Sequence, residues 1–146
     1  MQLFSRRFFI LAALLVPSLA AAQRQAITPP GVNPSATLSQ AIRFGDVLYV
    51  SGQIGMTRGS ADTTIQAQTQ KALDNLKAVV EAGGSNLANV LSCTVYLVDL
   101  KDFAGMNSVY TKVFTKEPPA RSTVVVAALV TPGGKVEISC IAGIPK

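Results

Sequence analysis

The chain has 146 residues, the length of one domain, and at 49% hydrophobic against 14% charged it is too apolar for disorder and poor in charge for a monomer's surface. It contains no histidine and two cysteines. That excludes a histidine-based triad and the usual His/Cys zinc clusters, so acid–base chemistry falls to Glu, Asp, Tyr, Cys, Lys, backbone or water. The formal charge of +5 becomes +3 without Arg6 and Arg7, and no basic run follows residue 7, so nothing argues for nucleic acid.

Residues 1–22 read as an export signal: Arg6 and Arg7 give the positive start, Phe8 to Val16 is continuously apolar, and Ala20-Ala21-Ala22 suits a signal peptidase. The apolar run is too short to span a bilayer comfortably, so no membrane attachment is expected after its removal. Ser5-Arg6-Arg7-Phe8-Phe9-Ile10 resembles a twin-arginine signal, and an ordinary Sec signal is equally open. Cleavage before Gln23 leaves 23–146 as a single domain, periplasmic or secreted.

Residues 23–38, with Pro29, Pro30, Gly31 and Pro34, form an extended arm holding at most one short strand. Ser39–Phe44 and Val47–Ser51 flank Gly45-Asp46, a strong hairpin signal. Gly52 follows at the strand's end, either admitting a close neighbour or serving as a turn residue. After a loop, Asp62 or Ser60 caps a helix of about twenty residues. Ile65, Thr69, Ala72, Leu73, Leu76, Val79 and Val80 recur along it at helical spacing, and Gly83-Gly84 ends it.

Val90 to Val98 alternates as a strand, with Leu91, Cys93, Val95 and Leu97 on one face and Ser92, Thr94, Tyr96 and Val98 on the other. Asp99 or Asp102 caps a second helix whose apolar stripe is Phe103, Met106, Val109, Tyr110 and Val113, stopped by Pro118-Pro119. The β-branched run after Arg121 predicts a buried strand with a guanidinium at its mouth. That permanent cation is either an anion receptor at a sheet edge or the partner of one of the chain's own acids. Thr131-Pro132-Gly133-Gly134 turns into a last strand, Lys135 to Ile141, in which Glu137 lies opposite Val136, Ile138 and Cys140. Cys93 and Cys140 are both expected to face the helices, as free core thiols rather than a disulfide.

The order is an arm followed by β-β-α-β-α-β-β, an α+β fold with one sheet and two helices on one face. The other face, carrying Thr, Ser, Tyr and Val, needs a cover, and self-association is the economical one.

Several segments, in this order and spacing, resemble the reactive intermediate deaminase family (RidA, YjgF-type). They are Ser39-Gln40-Ala41-Ile42, Leu48 to Ile54, Gln68-Thr69 to Val79, Phe103 to Tyr110, Pro119-Ala120-Arg121-Ser122-Thr123, Val136-Glu137-Ile138 and Ile141-Ala142. The resemblance covers nearly all of residues 23–146. It implies a chorismate-mutase-like α+β fold, a single mixed sheet in a homotrimer, with clefts between subunits. It implies hydrolysis of enamine and imine acids such as 2-aminoacrylate and 2-iminopropionate to a 2-keto acid and ammonia, without cofactor or metal. Arg121 is then the carboxylate receptor and Glu137 holds a water, both catalytic, with Gly52, Asn107 and Thr123 as further substrate-binding positions.

An imine is already electrophilic, so the protein need only fix the carboxylate, place one water and let protons move. Glu137 could instead be a trimer-core acid paired to Arg121 or a lysine. The sequence departs from the family in carrying Leu38 where a cleft tyrosine is usual, in a shorter loop over 55–59, and in its export signal. A second reading on the same fold is an exported, non-catalytic protein that binds or sequesters small carboxylates.

Overall fold

The computed structural model describes residues 23–56, 59 and 61–146. The export signal expected over 1–22 lies outside the described residues, as does Ser60, one of the two expected helix caps. The elements run β1 (Arg24–Ile27), β2 (Ala41–Phe44), β3 (Val47–Ile54), α1 (Ile65–Ala82), β4 (Val90–Leu97), α2 (Phe103–Val113), β5 (Ala120–Val125) and β6 (Val136–Gly143). One six-stranded sheet has the order β1-β2-β3-β6-β4-β5. Its pairs are antiparallel except β4 and β5, which run parallel and use α2 as their crossover.

The hairpin forms at Gly45-Asp46 as predicted, with Phe44 opposite Val47. Both helices pack on one face, where Leu48, Leu73, Leu76, Val95, Met106 and Ile138 are fully buried. Helix α1 is capped by Thr64, not Asp62: Thr64 Oγ1 accepts from Ala67 N–H at 3.2 Å, while the Asp62 carboxylate accepts from Thr64 N–H at 2.9 Å. Gly83 closes the helix as predicted. Asp99 caps the 3-10 turn Leu100–Asp102, and Asp102, at the start of α2, pairs instead with Lys135 at 3.5 Å. Phe103 leaves the expected apolar stripe and is 38% exposed, because the core side of α2 begins a turn later at Met106.

Three expectations about strands need correction. β5 is not a buried strand: it pairs only with β4, and most of its residues are exposed. A β-branched run reports strand propensity but not whether a neighbour lies on each side. β3 continues through Gly52 to Ile54, so Gly52 sits inside a strand, at a register shift between Val50 and Gln53. In β4, Leu91 is the extra residue of a bulge and is exposed, while Val90 takes its place in the core.

That bulge also decides the cysteines, which form a disulfide rather than two free thiols. Val90 opposes Ala142, and continuing that register would put Cys93 opposite Ser139, on the other face of the sheet. The shift at Leu91 brings Cys93 directly opposite Cys140, with their Cα atoms 4.1 Å apart. Both cysteines are buried beneath the helices. Their facing was legible in the alternation, but the one-residue slip that pairs them was not.

The bridge closes a loop over 47 positions, so it should stabilise the fold by about 2–4 kcal/mol. Denatured, unreduced protein is expected to titrate no free thiol. Chemical unfolding with reductant present should show a correspondingly lower midpoint, and two titratable thiols per chain would disprove the bridge.

Candidate functional site

Arg121 is the second residue of β5 and lies in register with Cys93, so it shares the helix face of the sheet at its outermost edge. Its guanidinium carbon stands 4.6 Å above the centroid of the Tyr110 ring, a cation–π stack that fixes the plane of the fork. Tyr110 is 3% exposed and packs on Phe114, one turn further along α2, with ring centroids 4.7 Å apart. Glu117, at φ 44°, takes a left-handed backbone conformation immediately before Pro118, a locally strained entry to the strand.

These groups surround a cleft of about 440 Å³, lined by Asn107, Tyr110, Thr111 and Phe114 of α2, by the Pro118–Pro119 step and by Arg121. Among the described residues the Arg121 side chain makes no ion pair or hydrogen bond, so its guanidinium donors are open to an anion from outside the chain. The Tyr110 hydroxyl is buried and has no partner among them. Burial pushes its phenol above the ordinary tyrosine value, and the Arg121 charge pulls the other way.

Glu137 occupies the opposite face. It is the second residue of β6, opposite Tyr96 and Ile54, and its carboxylate lies directly on Gly52. A methyl group added at Gly52 would overlap the Glu137 carboxyl, so this close approach explains the glycine inside β3. The Glu137 carboxylate also has no ion pair or hydrogen bond among the described residues. Leu38 is half exposed and shares a hollow of about 350 Å³ with Ser51, the neighbour of Gly52.

The residues singled out from sequence therefore fall into two groups. Arg121 and Asn107 share the edge cleft, and Thr123 points to the same face two residues on, outside that cleft. Gly52 and Glu137 meet on the open face, with β4 separating β6 from β5. Within one chain the structure does not bring Arg121 and Glu137 together. Sequence reasoning placed Tyr110 in the core stripe and missed its stack beneath Arg121; its spacing from Asn107, three residues along one helix face, was the available signal. Among the described residues no group of three or more His, Cys, Asp or Glu side chains could hold a metal ion.

The family model described as Endoribonuclease L-PSP matches residues 29–144. A RutC family protein of Saccharolobus solfataricus is 44% identical over 105 residues, covering 70% of this chain and 83% of its own. A 2-iminobutanoate/2-iminopropanoate deaminase of Dermatophagoides farinae is 38% identical over 117 residues, covering 78% and 91%. Among solved structures, yeast Mmf1 superposes with a TM-score of 0.75 at 32% identity, covering 84% of this chain and 100% of its own. RidA of an Antarctic Psychrobacter gives 0.72 at 37%, covering 82% and 99%. The chain belongs to the YjgF/RutC/RidA family.

Two measurements test the edge cleft. Arg121→Ala should weaken binding of a small 2-keto acid, followed by ligand-observed NMR, by about 2–5 kcal/mol, and Arg121→Lys should recover little of it. Unchanged affinity in Arg121→Ala would remove the receptor role. The raised Tyr110 value means that folding favours the neutral phenol. Its contribution to stability is present below the unfolded tyrosine value of about 10 and is lost as pH rises through the folded value. Absorbance titration should show a tyrosine ionising above pH 10 that is missing in Tyr110→Phe.

Proposed function

We propose that this protein is a hydrolase of 2-imino acids and their enamine tautomers, of the 2-aminoacrylate/2-iminopropionate type. The active site is completed between the subunits of a homotrimer that acts outside the cytoplasm. The observation that carries the reading is the pair of opposite charges without partners: Arg121 at the sheet edge and Glu137 on the open face. Each is built into a defined setting, and neither is neutralised among the described residues. Family membership and the similarity to a 2-iminobutanoate/2-iminopropanoate deaminase support the substrate class.

Two chains solve the geometric problem that one cannot. The open face exposes Phe44, Tyr49, Val124 and Ile141, an apolar surface that another subunit would cover. With the edge strand of one subunit set against the open face of the next, Arg121 of the first meets Glu137 of the second. The fork of Arg121 holds the substrate carboxylate by two charge-assisted hydrogen bonds, its plane fixed by Tyr110. Glu137 takes a proton from a water as the water oxygen bonds to the imine carbon. It returns that proton to nitrogen to give a carbinolamine; the carbinol hydroxyl then passes its proton through Glu137 to nitrogen, the C–N bond breaks as the C=O bond forms, and ammonia leaves a 2-keto acid. An enamine enters the same path after protonation at carbon gives the imine. The Cys93–Cys140 disulfide supports export, because such bridges persist in oxidising compartments.

Freshly generated 2-iminopropanoate, followed by loss of the imine in the presence of semicarbazide, should disappear faster with the protein, and Arg121→Ala and Glu137→Gln should both abolish the acceleration. A wild-type protein that leaves the decay rate unchanged would refute the activity. Light scattering at micromolar concentration should give three times the chain mass, and a monomer would remove the shared site.

A further inference from the structure

We infer that Gln68 is a positioning residue that holds the Glu137 carboxylate in place over Gly52; its catalytic consequence rests on the proposed deaminase reading. Gln68 lies on α1 and is 2% exposed, yet it is fully engaged. Its Oε1 accepts from Lys135 N–H at 2.8 Å. Its Nε2 donates to Gly133 O at 3.0 Å and to Thr63 O at 3.4 Å, and reaches Met56 Sδ at 3.7 Å. One side chain therefore gathers the turn before β6, the segment before α1 and the segment after β3.

The position of Lys135 gives this clamp its consequence. Its N–H is held by Gln68, its carbonyl accepts from Val98 N–H at 3.2 Å, and its ammonium pairs with Asp102 at 3.5 Å. Glu137 follows two residues later on a strand whose path those contacts set. The other wall of the Glu137 setting is fixed from the same residue. The backbone carbonyl of Gln68 lies against Gly55, where a methyl group would overlap it, and Gly55 comes three residues after Gly52. Gln68 thus touches both segments that bring Gly52 and Glu137 together. A buried amide with its acceptor and donors all used also resists displacement, because any shift leaves a desolvated polar group unpaired.

The test uses the full chain as Gln68→Met, which keeps the volume but loses the amide. The carboxyl of Glu137 is followed by carbon-13 NMR, assigned by its absence in Glu137→Gln. In Gln68→Met we expect the Glu137 carboxyl resonance to shift. With 2-iminopropanoate, kcat should fall about 10-fold or more with KM unchanged. A structural role alone would leave the Glu137 carboxyl resonance as in wild type, or raise KM without lowering kcat, and either result overturns the inference. If wild type shows no deaminase turnover, the proposed function falls and the carboxyl resonance alone decides the role of Gln68. Should Gln68→Met fail to fold, the same readouts apply to Gln68→Glu, which keeps the side-chain length and the acceptor for Lys135.

Discussion

Arg121 carries a charge that no working pH removes, on an edge strand, with its guanidinium over the ring of a buried tyrosine and no acid engaged among the described residues. Much of the molecule follows from keeping that charge both ordered and free. The strand must lie at the sheet's rim so that the cation stays hydrated, which explains why a β-branched run that would suit a core is left exposed. Helix α2 must present an aromatic face beneath it, and Phe114 holds Tyr110 from behind. The acid that would neutralise Arg121 is kept on the opposite face, seated on a glycine inside β3. A salt bridge within one chain would have stabilised little at such an exposed edge and would have filled the receptor.

Local signals in the sequence carried most of the fold. The Gly45-Asp46 hairpin, the helical periodicity from Ile65 to Val80, the Gly83 stop and the alternation of β6 around Glu137 each depend on near neighbours in the chain. What escaped depends on contacts across the sheet. The edge position of β5 is a fact about who lies beside it. The Cys93–Cys140 bridge depends on a single extra residue, Leu91, which slips the β4–β6 register by one. Asp62 was a reasonable cap by type, but its carboxylate is spent on Thr64, whose own hydroxyl takes the cap position.

The site divides along the same line. Arg121 at a sheet edge was legible because two prolines stiffen its approach and a strand follows, and Glu137 because a charge interrupts an apolar alternation. That the two sit on opposite faces, and that Tyr110 and Gln68 order their surroundings, follows from register and packing that a linear pattern does not record. The substitution of Leu38 for the tyrosine usual in the family falls beside Ser51 and Gly52, on the Glu137 side. In the proposed reading it therefore alters the half of the site assigned to water and protons rather than the half assigned to the carboxylate.

The central claim is that one active site draws Arg121 and Glu137 from different chains, and subunit mixing tests it most directly. Arg121→Ala and Glu137→Gln proteins, each inactive alone, are unfolded together in equal amounts and refolded under oxidising conditions. If the site is shared, random assembly pairs an intact Arg121 with an intact Glu137 at about a quarter of the clefts, and about a quarter of wild-type activity returns. If both residues serve a site within one chain, the mixture stays as inactive as its parts, and the account is contradicted.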